Sequence, residues 1–539
     1  MSSDASTLPL RDAPVGSQRA KRGLLRGRAG AFAAADERAW VGAACLAAIV
    51  ACSLFVVLMS ANRPSILSAT THANYFPHWM AGPLGGLLPG FTRSSTTLKY
   101  LFSGAIVVMY VSYLLGLAYV PRLRARWAIA TVLAVHAIFF LAPPLALTDI
   151  FNYVNYGRME VVHNLNPYTS IPILEPHNDP SYDLSNWHQL LSPYGPLFTL
   201  LTFAVVPLGV AASFWVLKGM LALASLGTLL LVWKCARLLG RDPVAAIVLV
   251  GLNPIVLVWG LGGDHNDFLM LFFILLAFYL LLRTRDRLGA PEPRRAVAQD
   301  RSTGEDRGAR EAVAAPTERR RLRPRDWLLA LCPPEIGAGA AVITATAIKA
   351  SGGVLIPVVL AAMLRSPRRL AQVALGMAGA AVVAAAVSLA AFGLHIPDLS
   401  TQSRLVTNVS VPNLIGLAVG SGGETETLHK LLSAGLVLAV MLCCVQAWRR
   451  RGPITASGWA SVALLVTLSW VLPWYVLWVL PMAALSSSRR LRAAALVLGV
   501  YLIIAWAPAS GLLWNAIGFH PEKTPLGRMH QRDVKELLN

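Results

Sequence analysis

Apolar stretches of about twenty residues recur from Trp40 to Leu513, each long enough to cross roughly 30 Å of hydrocarbon. A segment in hydrocarbon must satisfy its own backbone N–H and C=O groups, which excludes open sheets and leaves an all-α, polytopic helix bundle. Composition agrees: 55% of the 539 residues are hydrophobic and only 14% are charged, against about 25% in soluble domains, and the mean hydropathy is +0.57. The net charge of +20 would point to nucleic acid in a soluble protein. Here the arginines concentrate between apolar spans, where they set topology, so no nucleic-acid partner is expected. The six cysteines (Cys45, Cys52, Cys235, Cys332, Cys443 and Cys444) lie in or beside spans and form no CxxC pair, so they read as buried free thiols.

Placing Lys/Arg clusters inside gives spans near 39–60, 99–120 and 126–147, the third running outward and leaving Asp149 just outside the membrane. Residues 1–38 read as a disordered basic cytoplasmic tail. Residues 148–193 form a long external loop rich in Tyr, Asn, His and Pro, with Arg158 as its single Arg or Lys. Loops of this kind carry function more often than they merely link. If 197–212 crossed the membrane, the basic "WKCARLLGR" would fall outside, so 195–210 is expected to lie in the outer leaflet and 213–236 to cross. Three helical hairpins then turn at "GLGGDHND", "IKASGG" and "SWVLPWYV", with spans that are short or broken by Pro or Gly. Such spans are expected where backbone lines a cavity instead of lipid. Their tips share the outer side with Asp149. Residues 284–327 read as a disordered cytoplasmic linker between transmembrane parts 39–283 and 328–515, and 516–539 as a polar tail. The total is about thirteen crossings, with the N-terminus cytoplasmic.

Asp149 has two compatible readings. It and Thr148 are good N-cap types for the helix that follows, and a partly desolvated carboxylate at the membrane surface is also a general base. Asn152, Tyr153, Tyr156 and Tyr194 offer surfaces for sugar, although tyrosines also populate the interfacial belt. Arg158 either binds a phosphate or pairs with Glu160 or Asp183. His265, between Asp264 and Asp267, suits a phosphate contact, but the turn itself needs only glycine and a cap; as a metal motif the trio is weak. Lys349 amid Ala, Ile and Gly must snorkel outward or meet an anion. Trp474 and Tyr475 beside Pro473 place rings and a phenol at the outer surface, where a belt is the alternative. One protected carboxylate, a few cations and aromatics at one leaflet suit transfer of a group from a lipid phosphate to an external hydroxyl.

The segments "TDIFNYVNYGRMEVVHNLNPY", "SPYGPL", "GLNPIVLVWGLGGDHNDFLMLFFILLAFYLLLR" and "LSWVLPWYVLWVLPMAAL" together resemble the actinobacterial polyprenol-phosphate-mannose-dependent α-(1→6)-mannosyltransferases, integral membrane glycosyltransferases of the GT-C superfamily. The resemblance covers about residues 95–515. It implies a GT-C bundle in which Asp149 is the catalytic base; joined to the reading of the residues above, Arg158, His265, Lys349 and Tyr475 are expected around the donor phosphate and Asn152, Tyr153, Tyr156, Tyr194 and Trp474 toward sugar. It implies a polyprenyl-phospho-mannose donor, a mannosylated lipid acceptor, an active site on the external face of the plasma membrane, and a role in lipomannan-type mannan synthesis. Many GT-C relatives carry a second acid beside the first, whereas this chain has "TDIF", so no cofactor is expected and the reaction should be metal-independent. The alternatives are another polyprenyl-phospho-sugar such as arabinose as donor, or transport of a lipid-linked sugar, which would call for polar residues near the midplane and an inverted repeat.

Overall fold

The computed structural model describes residues 16–62, 77–88, 94–146, 148–289, 333–450 and 452–538, with side chains from residue 39 onward in the first helix and up to 284 in the helix ending at 289. All regular structure among them is helical. The long elements are α1 (Gly16–Ala61), α2 (Ser95–Tyr119), α3 (Ala125–Phe140), α4 (Asp149–His163), α5 (Pro196–Val205), α6 (Val210–Leu238), α7 (Pro243–Gly251) and α8 (Asp267–Gly289). They continue with α9 (Pro334–Ile348), α10 (Ile356–Met363), α11 (Pro367–Phe392), α12 (Val411–Ala418), α13 (Glu426–Arg450), α14 (Ile454–Thr467), α15 (Leu480–Leu485), α16 (Arg489–Trp506), α17 (Ser510–Ala516) and α18 (Pro525–Leu538).

By length and composition, six helices among the described residues can cross a membrane, and a seventh if α16 and α17, bent by 77°, form one span. The expected thirteen full crossings are therefore not what helix length gives. The difference lies in the hairpins, whose arms are short. After α7 the helix breaks at Leu252 and Asn253, resumes at Pro254 and passes into a π turn at Val256–Leu261. After α9, Lys349 is extended and a 3-10 turn spans Ala350–Leu355. After α14, Leu468 is extended and a 3-10 turn spans Pro473–Trp478. Proline supplies no N–H and glycine little helix propensity, so these arms stop short. The π turn packs against both α3 and the Pro473–Trp478 turn, which brings two of the tips together at the end of α3.

Other boundaries also moved. α1 begins at Gly16, inside the stretch expected to be disordered, while residues 1–15 and most of the 284–327 linker lie outside the described residues. The C-terminal stretch is not a loose tail: α18 docks on the loop that follows α4 through Gln189 N–H to the Leu537 carbonyl (3.1 Å), and His530 is buried. Cys45, Cys52, Cys235, Cys443 and Cys444 are free thiols, and Cys332 lies outside the described residues.

The packing of α9 on α11 shows why glycine recurs here. In hydrocarbon there is no water to expel between helices, so association depends on close approach at small residues. A Cβ on Gly376 would collide with the Ile336 carbonyl and one on Gly339 with the Val373 carbonyl, whereas a Cβ on Gly379, one turn away, meets nothing within 4 Å. Gly376→Ala is therefore expected to destabilise by about 1–3 kcal/mol despite alanine's better helix propensity. Gly379→Ala should be neutral or stabilising. Thermal unfolding of the two variants in detergent checks this, and equal melting temperatures would contradict the packing.

Candidate active site

The end of α3 is fixed to the first hairpin tip by Leu145 N–H donating to the Gly262 carbonyl (2.7 Å). Ala146, at a positive φ, then turns the chain into α4. Asp149 occupies the first turn of α4, where the helix dipole favours a carboxylate. The expectation that Asp149 or Thr148 caps this helix is corrected: Thr148 makes no side-chain cap bond, and the Asp149 carboxylate makes no hydrogen bond to the α4 backbone. Its close partner is His265, whose Nδ1 lies 3.0 Å from Asp149 Oδ2; the Asp149 side chain is 16% exposed and that of His265 1%. The distance is that of an ion pair, but the ring N–H is not aligned for a hydrogen bond. Such contacts often tighten only when substrate is bound.

His265 is held from several sides. Its ring stacks on Trp474 at 3.5 Å between centroids and 11° between planes. The preceding Asp264 sits at φ +56, a left-handed conformation uncommon outside glycine and asparagine, and both its carboxylate oxygens accept from Lys218 Nζ (3.1 and 2.9 Å). Both side chains of that pair are almost wholly buried. Tyr153 Oη accepts from Asn266 N–H (3.2 Å), tying α4 to the same turn.

Beside this tip, Asp267 accepts from Lys349 Nζ (2.6 Å) and Trp478 Nε1 (2.6 Å). Lys349 lies over the rings of Tyr475 and Trp478, which stack on each other at 4.3 Å. Lys349 thus meets an anion of the protein, and it remains 20% exposed. Asp149, His265, Lys349, Trp474 and Tyr475, remote in sequence, form one cluster.

Arg158 is not part of it. Its guanidinium is bonded to Asp179 through Nε (2.9 and 3.1 Å) and Nη2 (2.8 Å), a partner the sequence reading did not choose. Asp179 also accepts from Ser181 N–H and Oγ and lies 2.8 Å from His163 Nε2, which makes it the hub of the loop that follows α4. Burial alone would raise the Asp179 carboxyl, but these hydrogen bonds outweigh it and hold the group well below the usual carboxylate range. Asn152, Tyr153 and Tyr156 are buried, and their oxygens serve the fold, while Asn152 Nδ2 has no partner among the described residues. Asn152 Oδ1 accepts from Asn186 N–H, and Tyr156 Oη donates to the Leu190 carbonyl. Tyr194 is half-buried with its ring edge on Tyr153. Lys218 and Trp478 were missed. A lysine inside "SFWVLKGMLALAS" is an intramembrane charge and was readable as a signal; a tryptophan in an apolar run carries none.

With this geometry in place, the comparisons with known proteins can be read. The sequence model described as "Alpha-(1->6)-mannopyranosyltransferase, N-terminal domain" matches residues 39–365, and the MptB C-terminal domain matches 406–519. An alpha-(1->6)-mannopyranosyltransferase of Mycobacterium tuberculosis is 28% identical over 416 residues, covering 69% of this chain and 67% of its own. Alpha-(1->6)-mannopyranosyltransferase A of the same organism is 26% identical, covering 70% and 69%. Alpha-(1->6)-mannopyranosyltransferase B of Corynebacterium glutamicum is 26% identical over 447 residues, covering 75% and 67%. No solved structure matches the chain significantly.

Two outcomes follow from the charges. Lys218→Met leaves the Asp264 carboxylate buried and alone and should cost about 3–5 kcal/mol, while the double variant Lys218→Met with Asp264→Asn, which removes the charge and tolerates the left-handed φ, should recover much of that loss. Thermal unfolding of the three proteins measures it. Glu175 is buried with neither carboxylate oxygen hydrogen-bonded among the described residues; burial, with the Asp179 charge nearby, pushes its carboxyl from 4.5 up to about 8. Between those values the folded state keeps a proton that the unfolded chain has released, so stability falls as pH rises across the window. Glu175→Gln should flatten the slope of melting temperature between pH 5 and 8.

Proposed function

Because the chain belongs to the alpha-(1->6)-mannopyranosyltransferase family and is a multi-pass membrane glycosyltransferase, we propose that it moves mannose from polyprenyl-phospho-mannose to the 6-hydroxyl of an acceptor mannoside, with inversion, at the external membrane face. The observation that carries this reading is Asp149: partly exposed, free of capping duty, and facing the buried His265.

Asp149 takes the proton of the acceptor 6-hydroxyl while that oxygen bonds the anomeric carbon. The bond from that carbon to the phosphate oxygen breaks, and polyprenyl phosphate leaves with the electron pair. A β-linked donor and an α product require inversion, so one carboxylate suffices and no glycosyl-enzyme forms. His265, clamped by Trp474, fixes one carboxylate oxygen and leaves the other for the acceptor. Lys349, partly exposed beside Tyr475, faces the departing phosphate, and Asp267 holds it in place. Arg158 is left to the loop. Tyr194 is the partly open ring available to sugar.

A metal-independent reaction is part of this proposal. It is supported by the carboxylates around the site, each of which already has a partner in the protein: Asp149 with His265, Asp264 with Lys218, and Asp267 with Lys349 and Trp478. The arginine-rich ends of the bundle lie opposite the cluster and support a cytoplasmic assignment for them. Elongation of a lipomannan-type mannan core is the proposed biological setting.

Membranes carrying the protein, given labelled polyprenyl-phospho-mannose and a short α-mannoside, should form an α-(1→6) product. Asp149→Asn should lower the rate at least about a hundredfold with the protein still folded, and His265→Gln should lower it less. Undiminished transfer by Asp149→Asn would remove it as base. Activity should persist in EDTA, and its loss there with recovery on adding a divalent cation would overturn metal independence.

A further inference from the structure

At the far end of the bundle from Asp149 lies a cavity of about 260 Å³ between the ends of α6, α8, α13, α14 and α15. Along α8, Asp267 belongs to the catalytic cluster while Phe278 and Leu281 line this cavity, which puts the two roughly 15–20 Å apart. Its floor is apolar, formed by Phe278, Leu281, Met363 and Leu485. Its rim carries three arginines, Arg241, Arg369 and Arg450, and the hydroxyls of Thr455, Ser486 and Ser487.

The rim is built, not incidental. α6 ends in a Schellman turn in which Gly240 takes φ +63, Gly240 N–H donates to the Arg237 carbonyl (3.1 Å) and Arg241 N–H to the Ala236 carbonyl (2.8 Å). Asp242 then caps α7 by accepting from Val244 and Ala245 N–H. Arg241 is thereby fixed between two helix ends. Its Nε is buried and has no hydrogen-bond partner among the described residues. Arg369 is paired with Glu335 and also donates to the Leu281 carbonyl, and Arg450 is exposed. The nearby carboxylates, Glu335 and Asp242, are thus already engaged. Thr455 and Ala456 line the cavity in the first turn of α14, where N–H groups lack intrahelical acceptors and the dipole favours an anion.

We propose that this cavity binds an anionic phospholipid of the cytoplasmic leaflet, its phosphate between Arg241, Arg450 and the start of α14 and its chains over the apolar floor. A free phosphate would satisfy the rim alone; the apolar floor and the position between helix ends at the arginine-rich face favour a lipid. The proposal does not depend on the catalytic reading.

Purified full-length protein in detergent, titrated with phosphatidylglycerol and with phosphatidylcholine of the same chains, tests it by native mass spectrometry. Phosphatidylglycerol should bind and phosphatidylcholine should not. Arg241→Gln and Arg450→Gln should each weaken phosphatidylglycerol binding about fivefold, with Arg126→Gln, at the same end but outside the cavity, leaving it unchanged. Arg241→Lys, which keeps the charge, should retain most of the binding. Equal binding of phosphatidylcholine, equal losses in Arg126→Gln and Arg241→Gln, or a loss in Arg241→Lys as large as in Arg241→Gln would overturn the proposal. So would complete displacement of the lipid by inorganic phosphate, which would assign the rim to a soluble anion.

Discussion

Backbone that is not helical cannot face hydrocarbon, because each unsatisfied N–H or C=O there costs several kcal/mol. The three broken hairpins must therefore bury their irregular tips against protein. The tips at Gly262–Asp267 and Pro473–Trp478 do so against one another and against the start of α4, with the Lys349 turn joined to them through Asp267. The proposed active-site cluster is what collects where these interruptions meet. A chain of unbroken spans would have no such meeting point.

Inside that junction, charge is handled pairwise. Lys218 with Asp264 and Lys349 with Asp267 neutralise groups that could not stand alone at such depth. They differ in exposure, and the difference assigns their roles. The Lys218 pair is almost wholly buried and holds the left-handed turn that aims His265, whereas Lys349 keeps a fifth of its side chain open beside Tyr475. The loop that follows α4 uses the same device, with Arg158 of α4 paired to Asp179.

The proposed active site and the cavity proposed to hold lipid sit at opposite ends of shared helices. α8 carries Asp267 at one end and Phe278 and Leu281 toward the other, and α14 joins the Thr455 rim to the Trp474 turn. A bundle that fixes a cluster at one end necessarily brings together the opposite ends of the same helices, where Arg241, Arg369 and Arg450 gather.

The sequence by itself determined the all-helical membrane class and the places where Pro and Gly break the hairpins, and it singled out Asp149 as a candidate. These follow from hydropathy, charge and Pro/Gly placement, all of which act over a few neighbouring residues. Tertiary structure decided how many helices are long enough to span, how long the hairpin arms are, that α18 docks on the loop after α4, and which cation meets which acid. It gave Arg158 to Asp179 instead of a phosphate, gave Lys349 to Asp267, brought in Lys218, and turned Asn152, Tyr153 and Tyr156 inward. Such pairings join residues as far apart as Asp267 and Trp478, and they depend on distance through space, which periodicity along the chain does not encode.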